Sequence, residues 1–296
     1  MTRTRFEGAM TALVTPMRDG AVDYPALTQL IEWQIASGID GLVAVGTTGE
    51  SATLDVDEHI AVVRHCVETA RGRVPVIAGA GANATAEALD LSKRSADVGA
   101  DALLHVTPYY NRPNQDGLFR HYQALAAAVP LPILLYNVPT RTGCDLLPDT
   151  VVRLAELDNV VGIKEATGNM ARGAELVARV GHKLSVISGD DGTALPLYAL
   201  GARGVISVVS NVDPARMAAM WDAALAGNWA AAREAHYALR SLIELLFAEP
   251  SPAPTKACLA MAGRMADELR PPLYPISGGL RDRLATELAR LGLVGA

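Results

Sequence analysis

Residues 41–78, GLVAVGTTGESATLDVDEHIAVVRHCVETARGRVPVIA, contain one full repeat of the architecture. Gly41 to Val45 is a short run, apolar on both faces, so it reads as a strand covered on both sides. After a Gly-flanked turn, Asp55 and Glu58 stand at capping-box spacing, Val63 and Val67 share a helical face, and Gly72 follows the last turn. Pro75 to Ala78 is the next apolar run. Strand, helix and strand in this order predict parallel pairing, which needs a crossover of this kind.

The pattern extends in both directions. Apolar runs occur at Ala9 to Val14, Gly41 to Val45, Pro75 to Ala78, Ala102 to Val106, Ile133 to Tyr136, Val160 to Lys164, Leu184 to Ile187 and Gly204 to Ser207. Between the first two, Asp23 can cap a helix with Pro25 in its first turn, Leu27, Leu30, Ile31 and Ile35 on one face, and Gly38 at its end. Such units predict an α/β fold, a (β/α)8 TIM barrel over residues 1–224, with a C-terminal helical region at 225–296. In that region Leu225, Trp229, Ala232, Leu239, Leu242, Ile243 and Leu246 form a helical stripe, and the Pro-rich run from Glu249 to Pro254 breaks the chain. No Gly/Ser linker precedes it, so it is expected to pack on the barrel.

Composition narrows the partners. Half of the 296 residues are hydrophobic, enough for a large core, and the net charge is -6. Without a basic run the chain offers no surface for nucleic acid, so small molecules are the expected ligands. Cys66, Cys144 and Cys258 are odd in number and far apart, which fits neither a disulfide framework nor a CxxC site and predicts a reducing cytoplasm. The basic start, Met1 to Glu7, lacks the apolar stretch of a signal peptide. Tyr122 to Thr140 is uncharged, but Pro130, Pro132 and Pro139 interrupt it, so no membrane span is expected.

A barrel enzyme builds its site at the C-terminal strand ends. Lys164 closes the sixth run, where desolvation disfavours an ammonium and favours an amine nucleophile; its plain alternative is an ion pair with Glu165. After the second run, Gly46 to Ser51 offers the hydroxyls of Thr47 and Thr48 and backbone N–H groups to a carboxylate, or is an ordinary turn. Tyr136 ends the fifth run, where a phenol can pass protons to the same mouth. Arg141 presents a two-pronged donor for a carboxylate, or is an exposed loop arginine. Tyr109 and Tyr110, in a Pro-rich loop, read first as packing or interface residues. The run Gly79 to Ala84 imitates a dinucleotide fingerprint but follows the third strand and lacks the acidic residue at the next strand end. The six histidines have no metal-ligand spacing, so no metal is expected.

Taken together, Gly46-Thr47-Thr48-Gly49-Glu50-Ser51, Thr107-Pro108-Tyr109-Tyr110-Asn111, Tyr136-Asn137-Val138-Pro139-Thr140-Arg141-Thr142-Gly143 and Gly162-Ile163-Lys164-Glu165-Ala166-Thr167-Gly168 resemble the dihydrodipicolinate synthase family of class I pyruvate aldolases. The resemblance covers essentially the whole chain. It implies that Lys164 forms a Schiff base with pyruvate, whose enamine adds to L-aspartate 4-semialdehyde on the diaminopimelate route to lysine, with no cofactor. It also implies a proton relay of Tyr136, Thr47 and Tyr110, the last given by a neighbouring subunit of a homo-oligomer, usually a tetramer built as a dimer of dimers. Thr48 would hold the pyruvate carboxylate, Arg141 that of the semialdehyde, and the carbonyls of Gly189 and Ile206 would line the pocket. Ser51, Ala52, His59, Asn83, Glu87 and Tyr109 match positions that bind lysine as inhibitor in some members, although Val56 stands where a sensitive form has histidine. Related lyases acting on N-acetylneuraminate or 2-keto-3-deoxy sugar acids are the alternative, and Arg141 argues against them.

Overall fold

The computed structural model describes residues 6–294; the basic start at residues 1–5 lies outside the described residues. Eight parallel strands close into a barrel: β1 (Gly8–Ala12), β2 (Gly41–Ala44), β3 (Val76–Gly79), β4 (Ala102–Val106), β5 (Ile133–Asn137), β6 (Val160–Glu165), β7 (Ser185–Ser188) and β8 (Gly204–Ser207). β1 pairs with both β2 and β8, which closes the ring. Each of the eight expected apolar runs corresponds to a strand. Closure also removes the dinucleotide reading of Gly79 to Ala84, because there is no open sheet with a switch point. A Cβ on Gly79 would lie 2.4 Å from the Val45 carbonyl oxygen, and one on Gly81 would lie 2.5 Å from the Val106 N, so both glycines serve strand-end packing.

Inside the barrel, Met10, Val43, Ile77, Leu104, Leu134, Tyr136, Ile187 and Ile206 form one cluster, while residues of opposite parity, such as Ile133, Leu135 and Ile163, pack outward against helices. The helix Tyr24–Ala36 is capped by Asp23, which accepts the Ala26 N–H, and Pro25 stands in its first turn. Leu27, Leu30 and Ile31 are buried, and Ile35 is half-buried. Asp55 caps the helix Val56–Ala70 through the Glu58 N–H. The return half of the expected capping box is absent: Glu58 instead binds Arg270, because a guanidinium is a stronger partner for a carboxylate than one backbone N–H.

The C-terminal helices Trp229–Leu246, Ala253–Met261 and Gly278–Leu291 share one apolar core with the barrel's outer layer. Trp229–Leu246 carries the predicted stripe except Leu225, which ends the preceding helix Pro214–Leu225 and is exposed. Asn228 caps a new helix there, so the periodicity does not run through. A small hairpin, Met17–Arg18 with Ala21–Val22, was not expected. Among the described residues no helix is long and apolar enough to cross a membrane.

Candidate active site

Strand pairing places Tyr136 of β5 beside Lys164 of β6. The Lys164 side chain points inward, the residue 5% exposed, with its Nζ 4.3 Å from the centre of the Tyr136 ring. Glu165 points the other way, as strand alternation requires. It accepts from Arg172 Nε at 2.8 Å and from the Thr167 N–H at 2.9 Å, so its charge is satisfied by an arginine rather than by the adjacent lysine. The plain reading of Lys164 as the ion-pair partner of Glu165 is therefore not what the fold builds. Gly189, just after β7, lies against the lysine stem: a Cβ there would be 2.9 Å from Lys164 Cε and 3.0 Å from Cγ. Ile206 belongs to the same interior cluster as Tyr136.

The turn after β2 is bent sharply. Val45 has φ 52° and Glu50 φ 58°, left-handed values that are rare for residues with a Cβ and rarest for a β-branched one. Between them Thr47–Gly49 forms one 3-10 turn with Thr48 buried. The N–H groups of Gly49 and Ser51 bond to the Gly46 carbonyl and that of Glu50 to Thr47, so three of the turn's N–H groups are taken up internally. Among the described residues no internal acceptor takes the Thr47 and Thr48 N–H groups at the open start of the turn, so these and the two hydroxyls are what it can offer a carboxylate. Thr15 braces the turn from β1's side, its hydroxyl donating to the Gly49 carbonyl at 2.7 Å.

A cleft of about 620 Å³ opens above these strand ends, and Thr47, Val106, Val138 and Arg141 line it. A small cavity of about 30 Å³ joins Thr47 to Tyr136 and Leu104 deeper in the barrel. Thr47 borders both. Arg141 is exposed on the one-turn helix Pro139–Thr142, ended by Gly143 at φ 67°. Thr142 anchors that turn by donating to the Cys144 carbonyl at 2.8 Å. Among the described residues no carboxylate pairs with Arg141.

Five of the six residues matched to an inhibitor site, Ser51, Ala52, His59, Glu87 and Tyr109, line this same cleft, and so does Val56. Asn83 is not among the lining residues; its carbonyl accepts from Asn111 Nδ2 at 2.8 Å. His59 is buried, with Nε2 2.8 Å from the Gly79 carbonyl, which can only accept, so Nε2 carries the proton. Burial lowers the His59 pKa, which keeps the ring neutral. Tyr110 is not brought to Lys164 within one chain. It is 90% exposed and held at φ 70°, a strained setting for a tyrosine turned to solvent. The sequence reading also missed one wall of the cleft, Pro250, Ser251, Pro272 and Leu273 from the C-terminal region. For Pro250 and Ser251 the signal was present in the Pro-rich run from Glu249 to Pro254, but its destination in space was not.

Comparison with known proteins agrees with this geometry. The family model described as "Dihydrodipicolinate synthetase family" matches residues 5–291. A 4-hydroxy-tetrahydrodipicolinate synthase of Acidithiobacillus ferrooxidans is 54% identical over 286 residues, covering 96% of this chain and 98% of that protein. The crystal structure of a chloride-inhibited dihydrodipicolinate synthase from Acinetobacter baumannii, complexed with pyruvate, is 46% identical with a TM-score of 0.96, covering 97% of this chain and 99% of that one. A lysine-bound structure of the enzyme from Cyanidioschyzon merolae is 38% identical with a TM-score of 0.95, covering 98% of this chain and 100% of that one.

Proposed function

We infer the chemistry of this chain from the family to which it belongs, the dihydrodipicolinate synthetase family. It is a Schiff-base-forming lyase that condenses pyruvate with L-aspartate 4-semialdehyde in the diaminopimelate route to lysine, the activity of 4-hydroxy-tetrahydrodipicolinate synthase. We propose residues 1–224 as the catalytic barrel and 225–296 as the helical region that completes its mouth.

The Lys164 amine adds to the pyruvate ketone, and loss of water gives the imine. The imine withdraws electrons, so a methyl proton leaves and an enamine forms without a metal. The enamine carbon then attacks the semialdehyde carbonyl, making the new carbon–carbon bond, and the substrate's own amine displaces Lys164 as the ring closes. Tyr136, Thr47 and a neighbouring subunit's Tyr110 are proposed to move the protons. Thr48 would hold the pyruvate carboxylate and Arg141 that of the semialdehyde, while the carbonyls of Gly189 and Ile206 line the pocket. The observation that carries this reading is a buried lysine facing Tyr136 while its neighbouring glutamate is satisfied elsewhere.

The exposed, strained Tyr110 supports an assembly in which a second copy covers it, and a homotetramer is proposed. Buried free thiols at Cys66, Cys144 and Cys258 fit a cytoplasmic enzyme. Lysine is proposed as a weak inhibitor in the cleft around His59 and Glu87, because Val56 gives up one polar contact worth about 0.5–1.5 kcal/mol. Full activity at millimolar lysine, with unchanged pyruvate kinetics, would remove that part.

Borohydride reduction with pyruvate, then peptide mapping, tests the central step. An adduct on Lys164 together with turnover of the semialdehyde is expected. Its absence would sink the mechanism, and an adduct without synthase turnover would favour the sugar-acid lyases.

A further inference from the structure

Lys256 is a second lysine in an apolar run, and its side chain is wholly excluded from water. It lies on the helix Ala253–Met261 and donates to Glu50, whose side chain is 1% exposed. Burial draws the Lys256 pKa below the ordinary lysine value, against the opposing pull of Glu50. The second Glu50 oxygen accepts the Arg270 N–H at 3.0 Å, and Arg270 Nη1 donates to the Thr53 carbonyl at 2.9 Å. One carboxylate thus ties two separate C-terminal segments to the turn after β2. Glu50 is also the left-handed residue that ends the Thr47–Gly49 turn. Desolvating two ions is unfavourable, and an apolar pair of similar volume is often as stable. A carboxylate bound at both oxygens, however, sets the position of the backbone that carries it.

We propose that the Lys256–Glu50 pair is a positioning device for pyruvate: it fixes the turn that carries Thr47 and Thr48, keeping Thr47 at the cavity it shares with Tyr136, and through it the C-terminal region acts in catalysis. This rests on the functional reading above. Independently of the pair, the same region supplies Pro250, Ser251, Pro272 and Leu273 to the cleft wall.

Borohydride trapping of the wild-type enzyme comes first. No adduct on Lys164 overturns both readings, whereas an adduct leaves the pair to be judged alone. In Lys256→Met, and in Glu50→Gln, which keeps shape and an acceptor for the Arg270 N–H, the pyruvate concentration for half-maximal trapping rises about tenfold or more, the scale of a small misplacement. The semialdehyde KM at saturating pyruvate stays within about twofold, because Arg141 stands on a separate turn. A merely structural pair would lower the melting temperature and leave both half-saturation values alone. If Lys256→Met does not fold, Glu50→Gln decides. Wild-type pyruvate half-saturation in Glu50→Gln, or an equal rise for both substrates, overturns the proposal.

Discussion

Replacing Gly189 by alanine asks how the lysine is held. The added Cβ would fall 2.9 Å from Lys164 Cε, 3.0 Å from its Cγ and 2.6 Å from the Ala166 Cβ. Carbon atoms pack at about 3.5–4.0 Å, so the methyl overlaps its neighbours by roughly 0.5–1.4 Å. Ala166 is fixed by the backbone leaving β6, its N–H donating to the Asn137 carbonyl at 3.0 Å. The lysine ends a flexible four-carbon stem and yields first. A shift of about 1 Å at a reacting group can lower the rate about 100-fold, or about 2.7 kcal/mol in the barrier. Overpacking itself lowers stability by about 1–3 kcal/mol. Single-turnover adduct formation, followed by intact mass after borohydride quenching, measures the first, and urea unfolding measures the second. Adduct formation within about threefold of wild type, alongside a clear loss of stability, would show that the strands absorb the methyl and would refute the reasoning.

Arg141→Ala should raise the semialdehyde KM about tenfold or more while pyruvate trapping is nearly unchanged, as expected on losing a charge-assisted contact; equal loss of both steps would contradict its role. Arg172→Leu leaves the buried Glu165 without its cation and should destabilise the fold by about 3–5 kcal/mol in denaturant titration, and a change below about 1 would show that Asn137 and the Thr167 N–H suffice. Burial pushes the His105 and His121 pKa values down to about 3 and about 4. The unfolded chain takes up those protons below about pH 6.5 and the folded one does not, so stability is full above that pH and falls as pH drops toward 4. Between pH 8 and pH 5 the two rings together should remove about 4 kcal/mol, and His121→Gln should remove about half of that dependence; equal stability at both pH values would refute it.

The strands were legible because each is apolar on both faces and bounded by turn residues, a pattern that the closed parallel barrel requires. The first two helices were legible from Asp23 and Asp55, whose caps are local. Failures came where a partner lies far along the chain or where an element is too short to have a period. Glu58 has capping-box spacing, yet its carboxylate goes to Arg270, which no local rule could anticipate. Leu225 fits the helical stripe, but a fresh cap at Asn228 resets the phase. The hairpin at Met17–Val22 has strands of two residues, which carry no alternation to read.

At the site the same division holds. Residue types at strand ends, Lys164, Tyr136, Thr47, Thr48 and Arg141, are a property of the chain, since side-chain alternation and the barrel rule locate the mouth before any coordinates exist. Which carboxylate neutralises which cation is not such a property. Glu165 adjoins Lys164 in sequence but faces Arg172 across the opposite side of the strand, and Glu50 meets Lys256 from the other end of the chain. Ion pairs depend on three-dimensional proximity and burial, and folding alone determines both.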